Sequence, residues 1–131
     1  MYNIKRTPWG YRLQFQGFIQ KDEMNQWVQE SERTLNTDNR GSFNIFVDMR
    51  NLKPLSDDAK QEMQVGQKMY KNKGMERSVV IVDSPTTKLQ FKNIAKKSGI
   101  YQWERYIDAS SNPNWEKAAL DWINEGIDPD A

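Results

Sequence analysis

Three aspartates, Asp48, Asp83 and Asp108, each close a predicted strand, so a parallel sheet would bring their carboxylates toward one edge. A set of that kind suits a hard cation such as Mg²⁺. Aspartate is also common where strands become loops, because its side chain satisfies nearby backbone donors, and that simpler role is preferred here. No metal and no cofactor is assigned. A second polar cluster, Ser56-Asp57-Asp58-Ala59, follows the strand Asn44-Ile45-Phe46-Val47-Asp48 after a short linker. Serine at a helix start with acidic residues behind it stabilises the positive end of the helix dipole. Such strand-to-helix junctions lie at the carboxyl edge of an α/β sheet, where these folds usually hold ligands. Asp48, Ser56, Asp57 and Asp58 are therefore the candidate partner-binding residues.

The chain has no histidine and no cysteine. This excludes Ser-His-Asp and Cys-His catalysis, imidazole and thiolate metal sites, and disulfides. No remaining motif supplies a nucleophile with a positioned base, and the expectation is a protein that is not an enzyme. Two further sets carry weaker chemistry. Lys88, Lys92 and Lys96 recur every fourth residue, opposite Phe91, Ile94 and Ala95, and form a basic surface. It reads as a solvated helix face, with an acidic partner or anionic membrane surface as the alternative. Trp9, Tyr11, Met63, Met69 and Trp103 are candidates to line an apolar pocket for a small hydrophobic ligand, although methionine more often fills gaps in a core.

The elements that must position these residues follow from hydrophobic period. Tyr2, Ile4, Tyr11, Leu13 and Phe15 alternate with polar residues around Thr7-Pro8-Trp9-Gly10, which reads as a β-hairpin. Met24, Trp27, Val28, Ser31 and Leu35 fall at helical spacing, and the polar run Asn36 to Gly41 ends that helix. Phe43 to Val47 is a short strand covered on both faces. Ser56 opens a second helix, with Ala59, Met63, Gly66 and Tyr70 on one side and Gly74 as its stop. Ser78 to Asp83 is the strongest central-strand pattern. Ser84-Pro85 starts a third helix that ends at Gly99. Tyr101 to Asp108 is the last strand, and a final helix carries Trp115, Ala119, Trp122 and Ile123 before Gly126. The order β-β-α-β-α-β-α-β-α implies an α/β domain with a mixed, mostly parallel five-stranded sheet and right-handed crossovers.

The 131 residues suffice for one domain over positions 1–126, followed by a short, frayed tail over 127–131. Nineteen basic against eighteen acidic side chains leave a net charge of +1, which argues against a general nucleic-acid binder. The amino terminus lacks the pattern of a signal peptide and no stretch is apolar enough to be a transmembrane segment, so a soluble, cytoplasmic protein is expected.

The opening hairpin, Phe46-Val47-Asp48, the Ser78 to Asp83 strand, and Glu104-Arg105-Tyr106-Ile107-Asp108 followed by Asn114-Trp115-Glu116-Lys117-Ala118-Ala119-Leu120-Asp121-Trp122-Ile123 resemble the SpoIIAA-like family, bacterial relatives of STAS domains. The resemblance spans Tyr2 to Gly126. It implies a β-α superhelix with one antiparallel edge strand, a core shared with lipid-binding CRAL-TRIO domains. Anti-sigma antagonists of the STAS type carry an Asp-Ser-Ser-Gly motif at the second helix, phosphorylated by a kinase partner. Ser56-Asp57-Asp58-Ala59 falls over that motif, with Asp57 and Asp58 in place of its two serines. The expectation is a non-catalytic regulatory or protein-protein interaction module without the phosphorylation switch. Its partner is expected to be a protein, with a homodimer as a further option. A carrier or sensor of a small hydrophobic ligand, such as a lipid, is the alternative.

Overall fold

Alternation of apolar and polar residues forces the first two strands to bury one face only, and the fold is built outward from that hairpin. A computed structural model describes residues 1–131. The elements are β1 (Tyr2–Thr7), β2 (Gly10–Gly17), α1 (Lys21–Asn36), β3 (Phe43–Leu52), α2 (Asp57–Asn72), β4 (Met75–Val82), α3 (Pro85–Ser98), β5 (Glu104–Asp108) and α4 (Trp115–Glu125). A 3-10 turn occupies Ile100–Gln102. The strands lie in chain order, antiparallel between β1 and β2 and parallel from β2 to β5.

That order decides the layers. Successive right-handed crossovers advancing in one direction place their helices on one face of the sheet. Tyr11, Leu13, Phe15, Ile45, Val47, Val80 and Val82 accordingly meet α1, α2 and α3 in the larger core. The alternate residues Phe46, Val79, Ile81 and Ile107 face the other way and pack against Ala119, Trp122 and Ile123 of α4. On that side α4 alone sits over β3, β4 and β5. It leaves the outward face of β1 and β2 open.

Several boundaries differ from those the sequence suggests. Strand β3 continues past Val47 to Leu52, because Gln16 and Gly17 of β2 keep pairing with it beyond a bulge. Strand β5 starts at Glu104, not Tyr101; the chain leaves α3 through Gly99 and the 3-10 turn, which takes Tyr101 out of the ladder. The polar run after α1 is also more than a helix stop. Arg40 donates to the carbonyls of Thr7 (2.5 Å) and Pro8 (3.3 Å) and pairs with Asp38 at 2.6 Å, while Asp38 accepts the Tyr11 hydroxyl. This latch ties the hairpin turn to the start of β3. Beside it, a Cβ on Gly10 would lie 1.8 Å from the Asn44 carbonyl oxygen, so the strands can approach there only at glycine.

The tail is docked and not frayed. Arg105 donates through Nε to Asp128 Oδ1 at 2.9 Å, Tyr101 donates its hydroxyl to Asp130, and Lys88 and Lys92 lie 3.3 and 3.4 Å from the Asp130 carboxylate. No helix is long and apolar enough to cross a membrane.

Candidate functional site

At the carboxyl ends of the parallel strands, the linker after β3 enters α2 through Ser56. Its Oγ accepts from the Ala59 N–H at 3.4 Å and donates to Asp58 Oδ1 at 2.5 Å, and Asp58 itself accepts from the same N–H at 2.9 Å. The Ser56 hydroxyl, followed by the Ala59 amide, holds the Asp58 carboxyl below the usual carboxylate range. Ser56, Asp57 and Asp58 are all exposed. Phe18 stands at the end of the neighbouring strand. Lys53 N–H donates to the Gly17 carbonyl at 3.1 Å, so Phe18 and the β3–α2 linker leave the sheet side by side. Phe18 is 78% exposed, more than any other large apolar side chain, and Val65 on α2 is also uncovered. The sequence reading passed over Phe18, although it falls at the end of an alternating strand, out of phase with Tyr11, Leu13 and Phe15.

The aspartates do not assemble. No group of three or more Asp and Glu residues is placed to hold a metal ion. Asp108 is consumed by its own turn, accepting from the Ser110 and Ser111 hydroxyls at 2.6 and 2.8 Å. Asp48 is 4% exposed and points to the α4 side of the sheet. It accepts from Arg50 Nε at 3.0 Å and Nη2 at 2.8 Å. Burial alone would raise its pKa, but the Arg50 hydrogen bonds prevail and hold it low. Thus Asp48 is separated from the exposed helix start and instead forms the floor of a groove of about 320 Å³ lined by Asn3, Lys5, Arg12, Gln14, Asp48 and Arg50. The Arg12 guanidinium lies over the Phe46 ring and that of Arg50 over the Trp115 ring, each 4.3 Å from the centroid.

A solved structure with the same element plan is that of an uncharacterized protein of the DUF3478 family from Shewanella loihica PV-4, described as having a SpoIIAA-like fold. It superimposes with a TM-score of 0.66 at 14% identity, covering 94% of this chain and 92% of its own. The chain has a SpoIIAA-like fold. No protein-family model matches it, and the curated proteins yield no significant match.

Within the SpoIIAA-like framework the residues of the expected apolar pocket are scattered. Tyr11 and Met63 are buried in the three-helix core, Met69 and Trp103 pack at its margin, and Trp9 lies on the opposite face of the sheet against Phe46. Trp103 is capped by Lys71, whose Nζ sits 4.4 Å from the ring centroid. The lysine stripe is partly engaged as well. Lys88 and Lys92 reach Asp130, and Lys96 lies 5.1 Å from the Tyr101 ring, so the tail carboxylate offsets part of the positive charge of this surface.

Proposed function

We propose that this chain is a non-catalytic, STAS-like regulatory module that binds another protein through the strand-end edge. The observation that carries this reading is the pairing of Phe18, an aromatic ring 78% exposed, with the adjoining fixed-charge start of α2. A large exposed ring beside two carboxylates suits a partner that offers an apolar pocket with a basic rim. Ser56 is engaged as a cap, and the negative charge of Asp57 and Asp58 needs no kinase, so binding is constitutive. Two carboxylates together carry about the charge of one phosphate, about −1.5 to −2, but divide it between two planar groups, and the partner is therefore one that reads a divided charge. Asp48 is left out of this surface because its carboxylate is buried under Arg50. The hydrophobic-ligand alternative lacks a comparable observation, since the five side chains it requires lie on two sides of the sheet.

Quantitative capture from lysate of the source cell tests the proposal. A Phe18→Ser/Asp57→Lys/Asp58→Lys variant, all three sites exposed, is expected to remain folded, with a lower thermal midpoint because two carboxylates leave the positive end of α2, while losing the captured partner by at least about tenfold. Equal capture by the variant, or stoichiometric phosphate on Ser56 in the native protein, contradicts it.

A further inference from the structure

The groove on the open half of the sheet uses a surface separate from the strand-end edge and stands without the reading given above. Lys5 and Arg12 are direct cross-strand partners, Lys5↔Arg12, and both project to the α4 side. Like charges directly opposed on adjacent strands repel. No carboxylate is set between them. Arg12 has one ionic contact, Glu116 at 3.7 Å, whose side chain is 53% exposed at the rim. Lys5 is exposed to solvent. Arg50 adds a third cation. Its Nε and Nη2 are held by Asp48, which fixes the guanidinium and leaves Nη1 directed at no acceptor in the chain.

Aromatic rings behind the lining complete the preorganisation. Phe46 and Trp115, with ring centroids 6.3 Å apart, each carry one guanidinium on their faces. A guanidinium stacked on a ring has one face covered and its N–H edges available for in-plane oxygen acceptors, the geometry that matches phosphate and carboxylate. Three cations against the single carboxylate of Asp48 leave the lining with an excess positive charge, and a phosphate monoester carries about −1.5 to −2. None of the lining residues is hydrophobic, which excludes an acyl chain, and about 320 Å³ is the scale of a small metabolite. Asn3 and Gln14, themselves cross-strand partners, present amides suited to hydroxyl groups.

We infer that this groove binds a small hydroxylated phosphate monoester, with the phosphate among Lys5, Arg12 and Arg50 and its hydroxyls on Asn3 and Gln14. Asp48 is a positioning residue that orients Arg50. Glu116 is a displaceable counter-ion at the rim, and Asp83 acts on Arg50 only through space.

The test is an NMR titration of the isotope-labelled full chain with glycerol phosphate, at constant ionic strength, following the Arg12 and Arg50 Nε–H and the Asn3 and Gln14 side-chain amides. Saturable shifts are expected with glycerol phosphate. Inorganic phosphate should move the arginine signals alone, and glycerol should move none. Lys5→Glu is expected to weaken binding at least about tenfold, and Glu116→Gln to tighten it. Both sites are exposed, and an unchanged backbone spectrum reports that each variant is folded. The inference is overturned if glycerol phosphate gives no saturable shift, if sulfate reproduces its effect, if both variants titrate as wild type, or if a single-stranded RNA oligonucleotide alone perturbs these signals.

Discussion

Glu104 accepts the Ser78 hydroxyl at 2.7 Å and the Tyr106 hydroxyl at 2.5 Å, with no cation in contact. Burial pushes its carboxyl up from the ordinary 4.5, against the two hydroxyl hydrogen bonds that pull it down. The fold therefore favours the protonated form. Its contribution is fully present below the ordinary value and is lost as pH rises through the higher folded one. Asp108 and Asp128 act in the opposite sense. Hydrogen bonds from Ser110 and Arg105 respectively hold them below 3.8, so their contribution exists above that value and disappears as pH falls. Urea midpoints measured across pH should show both limbs, and Glu104→Gln should flatten only the loss on the alkaline side. An alkaline-side slope unaltered in that variant would assign the limb to another group. The Glu104 to Asp108 motif was legible in the sequence as a closing strand, but the Ser78 partner was not, because the Ser78↔Glu104 register belongs to the sheet.

Helix pairing is where local and tertiary preferences conflict. Gly66 lies on the buried side of α2 with Ala59, Met63 and Tyr70, as its spacing predicts. Alanine would favour the helix by about 0.8–1.0 kcal/mol. Yet a Cβ at Gly66 would come within 2.2 Å of the Trp27 ring on α1, and that ring is fixed between Tyr70 at 5.8 Å and Phe15 at 5.1 Å. Overpacking costs about 1–3 kcal/mol. Gly66→Ala should consequently lose up to about 2 kcal/mol in chemical denaturation, net of the propensity gain. A stabilised variant would mean that α1 can move aside. The apolar stripes of both helices were readable from their 3.6-residue period. Which residue of one meets which residue of the other depends on how the two crossovers lie on the sheet, and the glycine marks the point of closest approach.

Across the whole molecule, β3 and β4 are covered on both faces, by the three-helix layer and by α4, while β1 is an edge whose outward face meets solvent. Native-state hydrogen exchange should find the slowest amides at Ile45 to Val47 and Val79 to Ile81, and much faster exchange at Ile4 and Arg6, whose N–H groups point off the free edge of β1. Uniform protection across the five strands would contradict the two-core description. The number, order and type of elements were determined by the sequence alone, because hydrophobic period and capping residues act over a few neighbours. So were the exclusion of histidine and cysteine chemistry and the capped, fixed-charge start of α2. Only the tertiary structure decided which side chains share a surface. It buried Asp48 under Arg50, divided the expected apolar pocket between two faces, docked the tail through Asp128 and Asp130, and set Phe18 beside the α2 start. It also stacked Arg12 and Arg50 on rings from β3 and α4. Each of these contacts joins residues distant in sequence or opposite in pleat, and a pattern of period two or 3.6 carries no information about partners brought together by register and crossover.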